Sequence, residues 1–221
     1  MRLMADGSSP TESQRRRATR IATRIAELYP DARTALDWDS PWQLLVSTAI
    51  SAQTTDENVN KAAPGLFARF PDPEDLANAD PEEVEQLIFS TGFYRQKTRS
   101  IISLAQDLVD VYGGVVPDDM DELVKLKGVG RKTASVVLAE VWDRPEIAVD
   151  THVKRVSNRL DLSTYDDPVK IEKDLKAQVP VRLHSRYSMR VILFGRQVCD
   201  ARRPQCGTCP LRRTCHWPGK V

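Results

Sequence analysis

The chain has 221 residues, with 32 Lys plus Arg against 31 Asp plus Glu and hence a formal charge of +1, and 41% of its residues are hydrophobic. That composition belongs to a globular protein long enough for one large or two small domains around a buried core, and it excludes fibrous and collagen-like chains. A membrane span needs about 18 or more apolar residues in succession, whereas the best runs, residues 136–139 and 191–194, are four long, which excludes a transmembrane helix.

Residues 1–24 are polar and Arg-rich and lack the apolar core of a secretory signal, so the protein is expected to be cytoplasmic, and nucleoid-associated if bacterial. Residues 1–16 are predicted to form a flexible tail. Ile21, Ile25 and Leu28 then repeat at helical spacing, as do Val84, Leu87 and Ile88, and Ile101, Leu104, Ala105 and Leu108. Asp80-Pro81-Glu82-Glu83 supplies a capping acid, a proline for the first turn and a capping-box glutamate. Gly113-Gly114 predicts the stop of a helix over residues 97–112. No segment alternates as a strand does, and no repeat of 20 to 50 residues is present, so an all-α fold follows.

Charge is unevenly placed. Residues 72–91 carry seven acids and no Lys or Arg, whereas residues 182–221 carry nine Lys or Arg against one acid, Asp200. A second basic knot of Lys125, Lys127, Arg131 and Lys132 surrounds a glycine turn. Such clusters are either solvated faces or the footprint of a polyanion.

In that turn, Leu126-Lys127-Gly128-Val129-Gly130-Arg131-Lys132-Thr133-Ala134, a Gly-x-Gly pair separates two amphipathic helices. Glycine permits backbone angles and close approaches that side chains resist, and the N–H groups opening a helix over residues 131–142 attract phosphate. An ordinary helix–turn–helix corner is the alternative. Lys132 stands where positive charge is disfavoured, beside Arg131 at a helix N-terminus, as a nucleophilic amine requires together with desolvation; a simple phosphate contact is the other reading. Further on, Ala148-Val149-Asp150-Thr151-His152 leads into a helix with Asp150 at its start, as a cap or as a carboxylate facing Lys132.

All four cysteines, Cys199, Cys206, Cys209 and Cys215, fall in the last 23 residues with the spacing Cys-x6-Cys-x2-Cys-x5-Cys. In a reducing compartment this points to metal rather than to disulfides. Unequal arms favour an iron–sulfur cubane over structural zinc, which prefers two short pairs. Arg202, Arg203, Arg212 and Arg213 in the same loops suggest phosphate contact.

Taken in order, Ser51-Ala52-Gln53-Thr54-Thr55-Asp56, the glycine hairpin, Val149-Asp150-Thr151-His152 and the four cysteines resemble the endonuclease III family of DNA glycosylases in the helix-hairpin-helix superfamily, over roughly residues 17–217. The resemblance implies two helical domains flanking a DNA-binding cleft. One is a helical barrel over 34–144 with the hairpin at about 120–142; the other is a discontinuous iron–sulfur domain from 17–33 and 145–221. It implies a bifunctional DNA glycosylase and AP lyase of base excision repair. By resemblance Lys132 is the nucleophile, Asp150 its carboxylate partner, and the four cysteines hold a 4Fe-4S cluster. It also implies DNA contacts by Gln53, Phe93, Gly128, Gly130, Arg131, His152, Arg202 and Arg203. Gly92-Phe93-Tyr94-Arg95-Gln96-Lys97 matches the family's wedge loop, with Phe93 where leucine is usual; an aromatic ring there can stack on a base. Trp142 and Phe194 are expected in the core. The implied partner is double-stranded DNA carrying damaged pyrimidines or abasic sites, bound by a monomer away from any membrane. Two alternatives remain. One is the related adenine glycosylase, which has serine at the Lys132 position and usually a further C-terminal domain beyond a point such as Val221; the other is a non-catalytic helix-hairpin-helix binding module.

Overall fold

The computed structural model describes residues 9–220. Helix α1 (Glu12–Leu28) is followed by α2 (Pro41–Ile50), α3 (Asp56–Arg69), α4 (Pro73–Ala77) and α5 (Pro81–Ile88). A 3-10 turn (Phe89–Thr91) leads into α6 (Tyr94–Tyr112), α7 (Met120–Leu123) and α8 (Arg131–Trp142). The chain ends with α9 (Thr151–Arg159), α10 (Pro168–Gln178), a second 3-10 turn (Val181–Leu183) and α11 (His184–Gln197). Every regular element among the described residues is helical, and none of these helices is long and apolar enough to cross a membrane.

The helices sort into two compact units. Residues 34–142 form one, and the segments ending at Arg33 and starting at Asp143 form the other. In the continuous unit, α6 buries Ile101, Leu104, Ala105 and Leu108 among Leu44, Leu45, Ile50, Leu66, Phe70 and Ile88, and Trp142 packs partly buried against them. In the discontinuous unit, Ile21 and Ile25 of α1 pack with Val153, Val156, Leu175, Val191 and Phe194. Leu211, 2% exposed, ties the cysteine-bearing loop into that core.

Most helix starts are set locally. Ser40, Thr55, Asp119 and Asp167 each accept a hydrogen bond from an N–H in the first turn of the helix they precede. Three expectations need correction. The chain is helical from Glu12, so residues 12–16 are not tail: the Thr11 hydroxyl accepts from the Gln14 N–H at 3.3 Å, and Gln14 Oε1 accepts from the Thr11 N–H at 2.7 Å, a reciprocal capping box. Residues 1–8 of the expected tail lie outside the described residues. Asp80 caps α5 through the Glu82 N–H, but Glu83 does not complete a box; it pairs instead with Arg69 of α3, at 3.0 Å from Nη2. The first arm of the glycine hairpin is only the single turn α7, because residues 124–128 turn rather than continue a helix.

Removing the α1 cap by Thr11→Ala is expected to cost about 1 kcal/mol of local helix stability, read as faster amide hydrogen exchange at Gln14 and Arg15. Unchanged exchange would mean that packing alone orders this turn.

Candidate functional site

In the continuous unit the hairpin is built around buried Leu123, Leu126 and Val129. The Lys127 N–H donates to Asp107 Oδ2 of α6 at 3.0 Å, and the Val129 N–H donates to the Leu126 carbonyl at 3.1 Å, closing the turn. The two glycines do different things. Gly128 has φ +80°, the left-handed region that side chains resist, and a Cβ there would meet Ser100 Cβ at 3.4 Å. Gly130 does not need an unusual backbone angle, and a Cβ added to it would meet nothing within 4 Å. Its missing side chain therefore leaves open space outside the protein. The first helical bond of α8 runs from the Ala134 N–H to the Gly130 carbonyl at 3.0 Å. The N–H groups before Ala134 lack intrahelical partners, and glycine brings no side chain to cap them. Arg131 and Lys132 are both exposed at this end. The exposure of Lys132 means that the protein does not itself supply the desolvation expected from sequence.

The same unit carries Gln53 and Phe93. Both are exposed and both have left-handed backbones, with φ 55° and 49°. Only four non-glycine residues among those described have positive φ. Such strain costs about 1 kcal/mol or more and clusters where a side chain must be held in a functional pose. Beside Phe93, which is 64% exposed, the Phe89 and Tyr94 rings pack with centroids 4.8 Å apart, and the Arg95 guanidinium lies 5.3 Å from the Tyr94 centroid.

In the discontinuous unit, Asp150 caps α9: Oδ1 accepts from the N–H groups of His152 at 2.8 Å and Val153 at 2.7 Å. Its other oxygen, Oδ2, lies 3.0 Å from His152 Nδ1. His152 thus orients the carboxylate. Behind it, a Cβ on Gly195 would come within 3.3 Å of His152 Cβ and 3.1 Å of Arg155 Nη2, so the glycine lets α11 pack tightly against α9. Sequence reasoning missed Gly195, although a lone glycine inside a helical pattern is the signal for such a close approach.

Arginines that sequence reasoning gave no role hold the cysteine loop. Arg155 donates to the carbonyls of Gly195 at 2.9 Å and Cys199 at 3.2 Å. Arg159 donates to the carbonyls of Asp200 at 2.6 Å and Ala201 at 2.7 Å, reaches Cys199 Sγ at 3.4 Å and lies 4.2 Å from the Trp217 ring centroid. Arg17 of α1 donates to the carbonyls of Leu160 at 2.6 Å and Thr214 at 2.8 Å. Arg202 and Arg203 are exposed, while their backbone N–H groups both bind Asp200 Oδ1 at 2.8 Å and hold that carboxyl below its usual range.

All four cysteines are free and half-buried, and three of them pack against the core of their unit. Burial pushes the Cys209 thiol up, and charge on Cys199, Cys215 and Cys206 acts in the same direction, so the four sulfurs share one neighbourhood. Among the described residues no three His, Cys, Asp or Glu side chains are placed to hold one metal ion. Four free thiols from one loop, a set of soft sulfur donors, fit an iron–sulfur cluster.

A family model described as HhH-GPD superfamily base excision DNA repair protein matches residues 46–180. Endonuclease III of Synechocystis sp. is 47% identical over 204 residues, 92% of this chain and 93% of that protein. Endonuclease III of Bacillus subtilis is 45% identical over 193 residues, 87% of this chain and 88% of that protein. A solved structure of a trapped Endonuclease III–DNA covalent intermediate superposes with a TM-score of 0.85 at 44% identity, covering 94% of this chain and 96% of that one.

The two glycines are separable by experiment. Gly128→Ala is expected to destabilise the chain by about 1 kcal/mol or more, through backbone strain. Gly130→Ala is expected to lose only about 0.5 kcal/mol yet to weaken duplex DNA binding, measured by fluorescence anisotropy, because its Cβ stands in front of the open N–H groups. Unaltered binding would remove the hairpin from the phosphate-contact surface.

Proposed function

The chain belongs to the endonuclease III family of HhH-GPD base excision DNA repair proteins, and from that membership we propose how its residues serve a bifunctional DNA glycosylase and AP lyase acting in the cytoplasm on damaged chromosomal DNA. The observation that carries the reading is the exposed Lys132 amine in the first turn of a helix that starts from a glycine, directly after the Gly-x-Gly hairpin.

Double-stranded DNA is the partner and an oxidised pyrimidine the base removed. The open N–H groups after Gly128 and Gly130 hold a backbone phosphate, and Arg131, Arg202 and Arg203 add charge attraction. A stacked nucleotide shields its sugar carbon, so the damaged nucleotide is first extruded. Gln53 and Phe93 occupy the space it leaves, their strained backbones aiming exposed side chains outward. Because Lys132 is solvated in the free protein, bound DNA supplies the water exclusion that its amine needs.

Lys132 Nζ then attacks C1′ of the sugar, and the C1′–N bond breaks with its electron pair leaving on the base. Asp150, held by His152, accepts the amine proton and offsets the positive charge developing on the sugar. The C1′–O4′ bond then opens with its electron pair passing to O4′, which takes up a proton, and the iminium so formed at C1′ acidifies the C2′ proton. Its removal expels the phosphate from C3′, cutting the strand on the 3′ side, and water releases Lys132 from the imine. The monofunctional adenine glycosylase has serine at this position and forms no such bond, and a pure binding module would use Lys132 for no more than one phosphate contact.

Cys199, Cys206, Cys209 and Cys215 are the residues that hold a 4Fe-4S cluster. When bound, the cluster crosslinks the C-terminal loop through iron–thiolate bonds, while Arg155, Arg159 and Arg17 fix that loop to α9 and α1 through its carbonyls.

Borohydride reduction during reaction with a duplex containing one oxidised pyrimidine is expected to trap a covalent adduct with the wild-type chain and none with Lys132→Ala. An adduct that persists in the variant would displace Lys132 as nucleophile, and base release without any adduct would point to the monofunctional alternative. The purified protein is also expected to be yellow-brown and to bleach on iron chelation, whereas colourless protein with stoichiometric zinc would overturn the cluster.

A further inference from the structure

Lys97 takes a place on α6 that helical spacing would give to a leucine: it shares the buried face of Ile101, Leu104, Ala105 and Leu108 and is only 6% exposed. Burying an ammonium is expensive, and an apolar residue of similar volume is often the more stable choice. Burial accordingly pushes the pKa of Lys97 down. A lysine in such a position is explained by what its donor holds.

That partner is the turn before α6. Lys97 Nζ donates to the Thr91 carbonyl at 2.7 Å in the interior. Thr91 is itself 1% exposed, and its hydroxyl donates to the Ile88 carbonyl at 2.7 Å. Lys97 also donates its backbone N–H to the Phe93 carbonyl at 3.1 Å. One residue therefore grips the chain on both sides of Gly92. At this turn stand the only consecutive left-handed residues among those described that include a large side chain, Gly92 at φ 69° and Phe93 at φ 49°. Phe93 is 64% exposed, so packing of its own ring does little to hold that conformation. Strained backbones persist only where their surroundings over-determine them, and a charge-assisted bond from a buried ammonium to a carbonyl is among the stronger means of doing so.

We infer that Lys97 is a positioning residue for the damaged-base reaction, fixing from beneath the turn that presents Phe93 to the duplex. The inference rests on the reading of Phe93 as the side chain that fills the space of the extruded nucleotide. Lys97 touches neither DNA nor the reacting atoms; it acts through the turn. Its contribution falls on the step that separates the base from its partner, and the chemistry at Lys132 is left unchanged.

The test compares single-turnover base release from two substrates: 5-hydroxyuracil paired opposite guanine, and the same base unpaired in a single-nucleotide bulge. Extrusion costs a few kcal/mol for a paired base and least for an unpaired one, so Lys97→Met is expected to slow release about tenfold on the paired substrate and less than about twofold on the bulge. An equal loss on both would mean that Lys97 serves general stability, and no loss on the paired substrate would show the grip to be dispensable; either overturns the inference. Phe93→Ala separates the two readings. If it leaves the paired substrate unaffected, the wedge reading fails and takes this role with it. If it slows release, adding Lys97→Met is expected to bring little further loss, because residues acting through one element are not additive; additive losses would overturn the coupling while leaving Phe93 in place. Should Lys97→Met not accumulate as folded protein, Lys97→Gln, whose shorter side chain falls short of Thr91, is read in the same way.

Discussion

Helix α8 starts from a glycine, Gly130, where other helices of the chain start from a capping side chain, and the candidate chemistry depends on that omission. Elsewhere the chain spends Thr, Ser or Asp side chains on its helix starts, as at Thr11, Ser40, Thr55, Asp119 and Asp167. At Gly130 it uses a residue with no side chain and leaves open space in front of it. A capping carboxylate there would stabilise the helix and compete with phosphate for the same N–H groups. The nearby anchors are correspondingly firm: Asp107 binds the Lys127 N–H, and Leu126 and Val129 are buried beneath the turn. The exposed end is held by this hydrogen bond and by the buried apolar side chains beneath it.

The discontinuous unit follows a different logic. Its cysteine loop has little regular structure, so its carbonyls are satisfied by arginines. Arg155, Arg159 and Arg17 reach residues 195, 199–201, 160 and 214 between them. Guanidinium suits this work because it offers several donors in a fixed plane and keeps its charge when half-buried. Basic residues in this region therefore divide into those turned inward to hold backbone and those, such as Arg202 and Arg203, left in solvent. The total charge of the segment does not distinguish the two sets.

Positional patterns were the part of the fold that could be read in advance. The helical periodicities around Ile101 and Ile21, the stop at Gly113 and the start of α8 at Arg131 depend on local backbone physics and side-chain spacing, which one chain segment carries by itself. The same holds for the candidate site as a set of residue types in order, from Gln53 through Lys132 and Asp150 to the four cysteines. What failed did so where two local options compete. Glu83 could cap α5 or pair across to α3, and the neighbouring helix decided it. The signal for the start of α1 was present in Thr11 and Gln14 but masked by a surrounding polar composition that resembles a tail.

The sequence by itself determined that the protein is helical, that a glycine hairpin precedes a lysine and that four cysteines close the chain, because each of these is a matter of spacing along one strand of backbone. Only the tertiary structure decided which of two glycines is conformational and which leaves room, that His152 turns toward Asp150, that Gly195 makes way for α9, and that Lys97 points into the core beneath Phe93. Those outcomes depend on which distant surfaces meet, and the packing of one helix against another sets them after local preferences have been met.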